Sequence, residues 1–400
     1  MRLPVFFILL TVILNAMGIG LILPVMPDLI REVNGGDISG AAIWGGILSA
    51  SFAVMQFLFA PLVGNLSDAF GRRPVMLASL LAMALDYVVM ALAGSIWLLL
   101  AGRIFGGITA ATNATATAYM ADISTPQEKA RNFGLIGAGF GVGFVFGPML
   151  GGLLAEYGTR APFYGAAALS LANTALGWAV LRETVTDATR RTFDIRRANP
   201  FGAFRAVARL PDLTALLWVF FFFQVATMVY PAVWAYFTAE RFQWSPGLIG
   251  VSLAVYGVSI AVVQGALVRP AIRMMGERKT VIFGLAVEVV SLVILGVITS
   301  GTAVLFLIPA TAIGAIGAPA LQGIMSRLTP DNAQGELQGV LTSVTSIAMI
   351  LAPVVMTQTF AAFTGDNAPV YLPGAPFLLA AVLMAVSLVL FRRRVTPQIA

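Results

Sequence analysis

Apolar stretches recur twelve times along this chain, each closed by a short polar or Gly/Pro-bearing segment. The expected spans are 4–30, 41–63, 75–94, 96–119, 132–155, 161–181, 213–236, 247–268, 280–298, 303–325, 337–362 and 375–391. Each is near the length that crosses about 30 Å of hydrocarbon at about 1.5 Å per residue. All are read as helices, because an open strand leaves its backbone unpaired in lipid. The longest polar interval, 182–212, is arginine-rich and punctuated by Asn199-Pro200 and Leu210-Pro211. It is read as a linker between two bundles, 1–181 and 213–400. The expected fold is an all-α membrane protein of twelve transmembrane helices in two pseudo-symmetric six-helix bundles.

The halves also echo each other in sequence. The loop Gly64-Asn65-Leu66-Ser67-Asp68-Ala69-Phe70-Gly71-Arg72-Arg73-Pro74-Val75 returns, worn down, as Arg273-Met274-Met275-Gly276-Glu277-Arg278-Lys279-Thr280-Val281. Gly71 maps onto Gly276 and Arg73 onto Arg278, both at an offset of 205. Met120 to Met325 and Gly134 to Gly339 repeat that offset. A membrane chain built from two such halves is most simply a transporter with its substrate path between them.

Composition supports this picture and removes alternatives. The chain is 59% hydrophobic and 10% charged, against about 25% charge in soluble domains. It has no Cys and no His, which excludes disulfides, thiolate and imidazole metal sites and histidine bases. The acids do not cluster at ligand spacing, so neither a metal site nor an enzyme is expected. No basic, aromatic-interleaved stretch suggests nucleic acid. The apolar run after Arg2 is too long for a signal peptide and is read as a retained first span.

Charge placement sets the expected orientation. With the N-terminus inside, 20 of the 24 Lys and Arg fall in cytoplasmic segments, and only Arg31, Arg160 and Arg241 fall outside. Both termini are then cytoplasmic. Trp44, Trp97, Trp178, Trp218, Trp234 and Trp244 lie close to span ends, where aromatic belts sit.

Polar residues inside spans are the candidates for chemistry. Asp86 and Glu288 lie deep, and Arg103 sits well inside the fourth span at a cost of at least ~2.5 kcal/mol. Arg103 therefore needs partners, with Asn113 and Asn15 foremost and Asp86 as a further choice. Asp28 near the outer end of the first span is the weaker acid. As a residue to carry a proton, Asp86 is favoured narrowly over Glu288, because it shares a half with Arg103 and the first copy of the repeated loop. Asn15, Gln56, Asn113, Gln224, Met228, Tyr256 and Gln264 are expected to face an amphipathic ligand near the midplane between the halves. Gly139, Gly143, Gly147 and Gly151 form a bare stripe for close helix approach, with Pro148 and Gly152 beside it.

Three of these stretches resemble motifs of the major facilitator superfamily. The loop carrying Gly64, Asp68, Gly71, Arg72 and Arg73 resembles its signature loop, which implies a cytoplasmic charge lock favouring the outward-facing state. Asp68 has Arg273 as its counterpart in the second copy, so the lock is expected to be one-sided. Leu100-Ala101-Gly102-Arg103-Ile104-Phe105-Gly106-Gly107 resembles the motif whose arginine is linked to proton coupling. Gly147-Pro148-Met149-Leu150-Gly151-Gly152, with Gly143 ahead of it, resembles the signature of drug:proton antiporters.

A finer resemblance, to the tetracycline efflux branch, rests on the run Asn15 to Pro27, Leu85-Asp86-Tyr87, Ala118 to Asp122, Pro319 to Gln322 and Gly335 to Gly339. It implies export of a tetracycline-like drug in exchange for protons by alternating access, in the bacterial inner membrane. It also implies Mg²⁺ carried with a chelating substrate. Partners are the drug, protons and the lipid bilayer, and the chain is expected to be a monomer. Two positions depart from the branch: the usual aspartate is Asn15 here, and the span-nine aspartate is Glu288. The rival readings are a proton-coupled carrier of another small metabolite or lipophilic compound, and a receptor or scaffold with a degenerate transporter fold.

Overall fold

The computed structural model describes residues 3–110, 112–125, 127–187, 190–194, 199, 213–330 and 333–394. Arg2 and most of the expected linker lie outside them. Among the described residues there is no strand. The helices crossing the bilayer are α1 (Pro4–Asn34), α2 (Ile38–Phe70), α3 (Arg72–Leu92), α4 (Ile96–Ile123), α5 (Arg131–Tyr157), α6 (Ala161–Val180), α7 (Thr214–Phe242), α8 (Pro246–Met275), α9 (Glu277–Val297), α10 (Gly301–Leu328), α11 (Gln334–Thr364) and α12 (Ala375–Arg393). Eleven of these are apolar enough to cross a membrane on composition alone. The other, α6, is diluted by Asn173, Thr174 and Ser170. Within the fold these find partners: the Thr11 hydroxyl donates to the Asn173 side-chain oxygen at 3.1 Å, and Ser170 donates to the Leu80 carbonyl at 3.2 Å. Burial of such groups is tolerated because they are hydrogen-bonded.

Among the described residues, four helices carry a break that keeps the repeat. In α1 a 3₁₀ turn, Leu23–Val25, separates two α-helical pieces, where Pro24 and Pro27 remove backbone donors. In α7 the pieces Thr214–Thr227 and Val229–Phe242 meet at Met228, three residues before Pro231. Leu23 and Met228 are 205 apart. In α4 the helix Ile96–Thr109 ends at Ala110 and resumes at Thr112. In α10 a 3₁₀ segment, Ala312–Ile316, follows Pro309 and contains Ala315, again 205 beyond Ala110. The first and fourth helices of each half are thus discontinuous, a feature that elsewhere marks substrate-path helices.

The chain forms two compact units. One contains residues 1–35, 51–200 and 245–254; the other contains 36–50, 201–244 and 255–400. The division follows the halves except for two strips, the beginning of α2 and the beginning of α8. The first unit packs around Phe7, Ile8, Met76, Leu80, Tyr119 and Met120. In the second, Val263, Val268, Ala312 and Ile316 form one cluster. Trp234, Phe237 and Phe377 form another, with the two phenylalanine rings 4.8 Å apart.

Candidate functional site

The deep charges of the first unit converge. Asp86 on α3 is fully buried and Arg103 on α4 is 8% exposed. Arg103 Nη2 donates to Asp86 Oδ2. The carboxylate lies over Gly102 and Gly106 of α4, where an added Cβ would collide with it. The guanidinium also stacks on Phe52, 5.0 Å from the ring centroid. Arg103 therefore does not use Asn15 or Asn113, the partners foremost in the sequence reading. The break in α4 at Ala110 lies between residues 103 and 113, so the two belong to different helical pieces. The ion pair is single-ended: Asp86 Oδ1 and Arg103 Nε have no hydrogen-bond partner among the described residues.

Asn15 and Asn113 bond each other instead, Asn15 Nδ2 donating to Asn113 Oδ1 at 3.2 Å. Gln56 Nε2 donates to the Ala110 carbonyl at 3.2 Å, which satisfies an acceptor freed by the break in α4. Three of the ligand candidates thus gather around discontinuous helices α1 and α4.

In the second unit Glu288 on α9 is 2% exposed and packs against Gly314 in the 3₁₀ segment of α10. Among the described residues no cation pairs with it. The Tyr230 hydroxyl donates to its Oε2 at a long 3.4 Å, and the Tyr256 ring lies 5.1 Å from that of Tyr230. Gln224 Nε2 donates to the Thr345 hydroxyl at 3.1 Å. Met228 occupies the break in α7. Gln264 is exposed, in a five-residue π-helical segment, Val263–Leu267, of α8. Such segments are rare and concentrate at functional places. Asp28 sits near the end of α1 with Arg31, 3.6 Å away and half-exposed.

At the signature loop Arg72 is the hub. It reaches Asp68 at 2.5 Å, Asp122 at 3.2 Å and the Ser67 hydroxyl at 3.1 Å. Arg73 donates to the Trp178 carbonyl at 2.9 Å. Glu183, just beyond α6, accepts the backbone amides of Arg72 and Arg73 at 2.9 and 3.2 Å and so caps α3. Arg191 comes to 3.9 Å of the second Asp68 oxygen. Gly71 has φ of +115°, a backbone shape that favours glycine. In the second half Arg327 clasps Glu277 through both of its terminal nitrogens. Asp122, Glu183, Tyr230 and Glu277 escaped the sequence reading. The offset would have found one pair, since Arg72 and Asp122 plus 205 are Glu277 and Arg327.

The glycine stripe on α5 serves two neighbours. Added Cβ atoms at Gly143, Gly147 and Gly151 would run into the backbone of Ile13, Met17 and Leu21 on α1, in matching four-residue steps. Gly152 faces the start of α8, where its Cβ would lie 2.6 Å from the Pro246 carbonyl oxygen. Gly250 of α8 abuts the Pro148 carbonyl in turn.

A model of the Major Facilitator Superfamily matches residues 8–235 and again 215–399. The chain is 43% identical to Tetracycline resistance protein, class C, of Escherichia coli, with 93% of each chain covered. It is 40% identical to the class G protein of Vibrio anguillarum over 94% of this chain and 95% of that one. Among solved structures, the human organic anion transporter MFSD10 (TETRAN) matches with a TM-score of 0.70 at 25% identity, covering 98% of this chain and 99% of that one.

Proposed function

This chain belongs to the Major Facilitator Superfamily, and from that premise we propose that it exports a tetracycline-like drug in exchange for protons by alternating access. The observation that carries the reading is near-full-length similarity to tetracycline resistance proteins of several classes, at 33–43% identity. The chain is a multi-pass membrane protein, and the positive-inside distribution supports a cytoplasmic-membrane location with both termini inside. Lone action as a monomer is part of the proposal, as is Mg²⁺ travelling as cargo with the chelating drug.

The surroundings of the two deep acids divide the labour. Protonating Asp86 leaves Arg103 as a buried charge without its counter-ion, which is strongly unfavourable. Glu288 faces tyrosine and bare backbone, where the neutral acid fits and the anion is poorly compensated. Glu288 is thus the proposed proton carrier, although the sequence alone favoured Asp86. The Asp86–Arg103 pair positions α3 against α4. Asn15 and Asn113 in the first unit, and Gln224 and Tyr256 in the second, are the proposed drug contacts. Asp68, Arg72 and Asp122 are the proposed gate.

The test is transport in proteoliposomes under an imposed pH gradient, with tetracycline and Mg²⁺ supplied. Drug movement against its gradient, with counter-movement of protons, supports the reading. Drug-independent proton flux, or no drug movement in folded protein, overturns it.

A further inference from the structure

A second binding surface lies on the outside of the first unit. α3 and α6 pack together, and between them runs a groove of about 520 Å³ lined by Leu77, Leu81, Leu171, Thr174, Ala175 and Trp178. Arg73, Leu77 and Leu81 follow at four-residue steps on α3, so they share one stripe. Leu171, Ala175 and Trp178, at steps of four and three, likewise share one face of α6. Leu81 and Leu171 are nearly half-exposed, and Trp178 is 70% exposed. Thr174, the one hydroxyl in the lining, donates to the Ser170 carbonyl of its own helix at 2.8 Å, and the other polar group there is the Trp178 indole N–H. The rest of the groove is apolar. Its walls suit hydrocarbon.

One end of the groove is different. Arg73 stands there, tied to the Trp178 carbonyl by one N–H. Its Nε is buried without a partner among the described residues, so a headgroup meets the terminal nitrogens rather than Nε. The neighbouring carboxylate, Glu183, does not meet this need. It is taken up by backbone: Oε1 accepts the amides of Arg72, Thr184 and Val185, each at 2.9 Å, and Oε2 accepts that of Arg73 at 3.2 Å. An apolar groove thus ends at a guanidinium with donors to spare, beside an interfacial tryptophan.

We propose that this groove binds an anionic phospholipid, with an acyl chain along Leu77, Leu81, Leu171 and Ala175 and its phosphate on the Arg73 guanidinium. Guanidinium donors match phosphate oxygens, and long basic side chains at helix ends place their charge at headgroup level. The occupant is a membrane lipid because the groove opens along spanning helices. Since Arg73 belongs to the signature loop and follows Arg72, lipid bound here lies next to the proposed gate.

The experiment uses the full chain in symmetric vesicles, so the result does not depend on which way the protein inserts. Quenching of Trp178 by phospholipids brominated in their acyl chains is read as the difference between wild type and Trp178→Phe. Brominated phosphatidylglycerol is expected to reach half-quenching at roughly fivefold lower mole fraction than brominated phosphatidylcholine, the factor given by ~1 kcal/mol for one basic residue at an anionic surface. Arg73→Gln is expected to bring the two lipids level, and Arg73→Lys to keep most of the preference. Ala175→Phe fills the groove and is expected to weaken quenching of Trp178 by both lipids. Equal quenching by the two lipids in wild type overturns the proposal. So does a preference that survives Arg73→Gln, or, if that variant does not fold, quenching unaltered by Ala175→Phe.

Discussion

Asp86 on α3 and Glu288 on α9 occupy the third helix of their respective halves, and each lies against glycine on the following helix. Asp86 has an arginine; the position 205 beyond Arg103 is Ile308. Near-symmetric backbones therefore hold one compensated and one uncompensated acid. Asp86 has a buried guanidinium beside it, whereas Glu288, among the described residues, has only the Tyr230 hydroxyl. The loop triads differ in a second way. Asp68, Arg72 and Asp122 become Arg273, Glu277 and Arg327 at the same offset, so every sign is reversed. The pairing of the second and third members survives the reversal, which shows that the fold needs an ion pair there but not a particular polarity.

The largest expected effect separates the two acids. Asp86→Asn leaves Arg103 buried and unpaired and is expected to cost about 3–5 kcal/mol, seen as a fall in thermal unfolding temperature in detergent. Adding Arg103→Gln should recover most of it. Glu288→Gln, which keeps size and the tyrosine contact, is expected to cost under ~1 kcal/mol. Equal destabilisation by both changes would break the contrast.

Transport gives the next effect. Glu288→Gln is expected to lower pH-driven export about 100-fold, the low end for loss of a proton-transfer group, while leaving drug exchange down its gradient intact. Loss of both modes would instead make Glu288 a drug contact or a structural residue.

The loop pairs come third. Arg72 is 15% exposed in its side chain with three partners, whereas Arg327 is 56% exposed and, among the described residues, has Glu277 alone. Arg327→Gln is expected to cost about 0.2–1 kcal/mol, and Arg72→Gln more, by chemical denaturation. The double reversal Glu277→Arg with Arg327→Glu should restore the second pair, since polarity is the variable the halves have already exchanged.

Smallest is the contrast between the caps of α2 and α8. Asp37 accepts the Ser39 hydroxyl at 2.5 Å and the Gly40 amide at 3.0 Å, whereas Ser245 accepts the Leu248 amide at 3.4 Å. The Ser39 bond first, then the Gly40 amide, hold the Asp37 carboxyl below its usual range. A depressed value means that the Asp37 contribution is present above about pH 4, the ordinary value, and fades as pH falls through the folded one. Asp37→Ala is expected to cost under ~1 kcal/mol at neutral pH, and Asp37→Asn to flatten the acid limb of the unfolding curve.

Much of this was legible in the chain. Span positions followed from apolar length, because lipid permits few alternatives. Observed helices run past the expected ends, as α2 does to Phe70, since helix continues into the interface beyond the hydrocarbon. Pro24, Pro231 and Pro309 announced three of the four interruptions, but the one at Ala110 carries no proline. Asp86 was ranked behind Asn113 and Asn15 as the partner of Arg103 because proximity along one helix says nothing about the neighbouring helix. Tyr230 was hidden: a tyrosine near a span centre reads as packing until an acid is placed beside it.

The amide pair of Asn15 and Asn113 has an evolutionary consequence. An amide both donates and accepts, so Asn113 can present its oxygen to an amide at position 15 or, with its end turned over, its NH₂ to a carboxylate there. The partner needs no compensating change. Asn and Asp codons differ by a single nucleotide. Lineages can therefore cross between a titrating and a non-titrating residue at position 15 in one step, without passing through a misfolded ancestor.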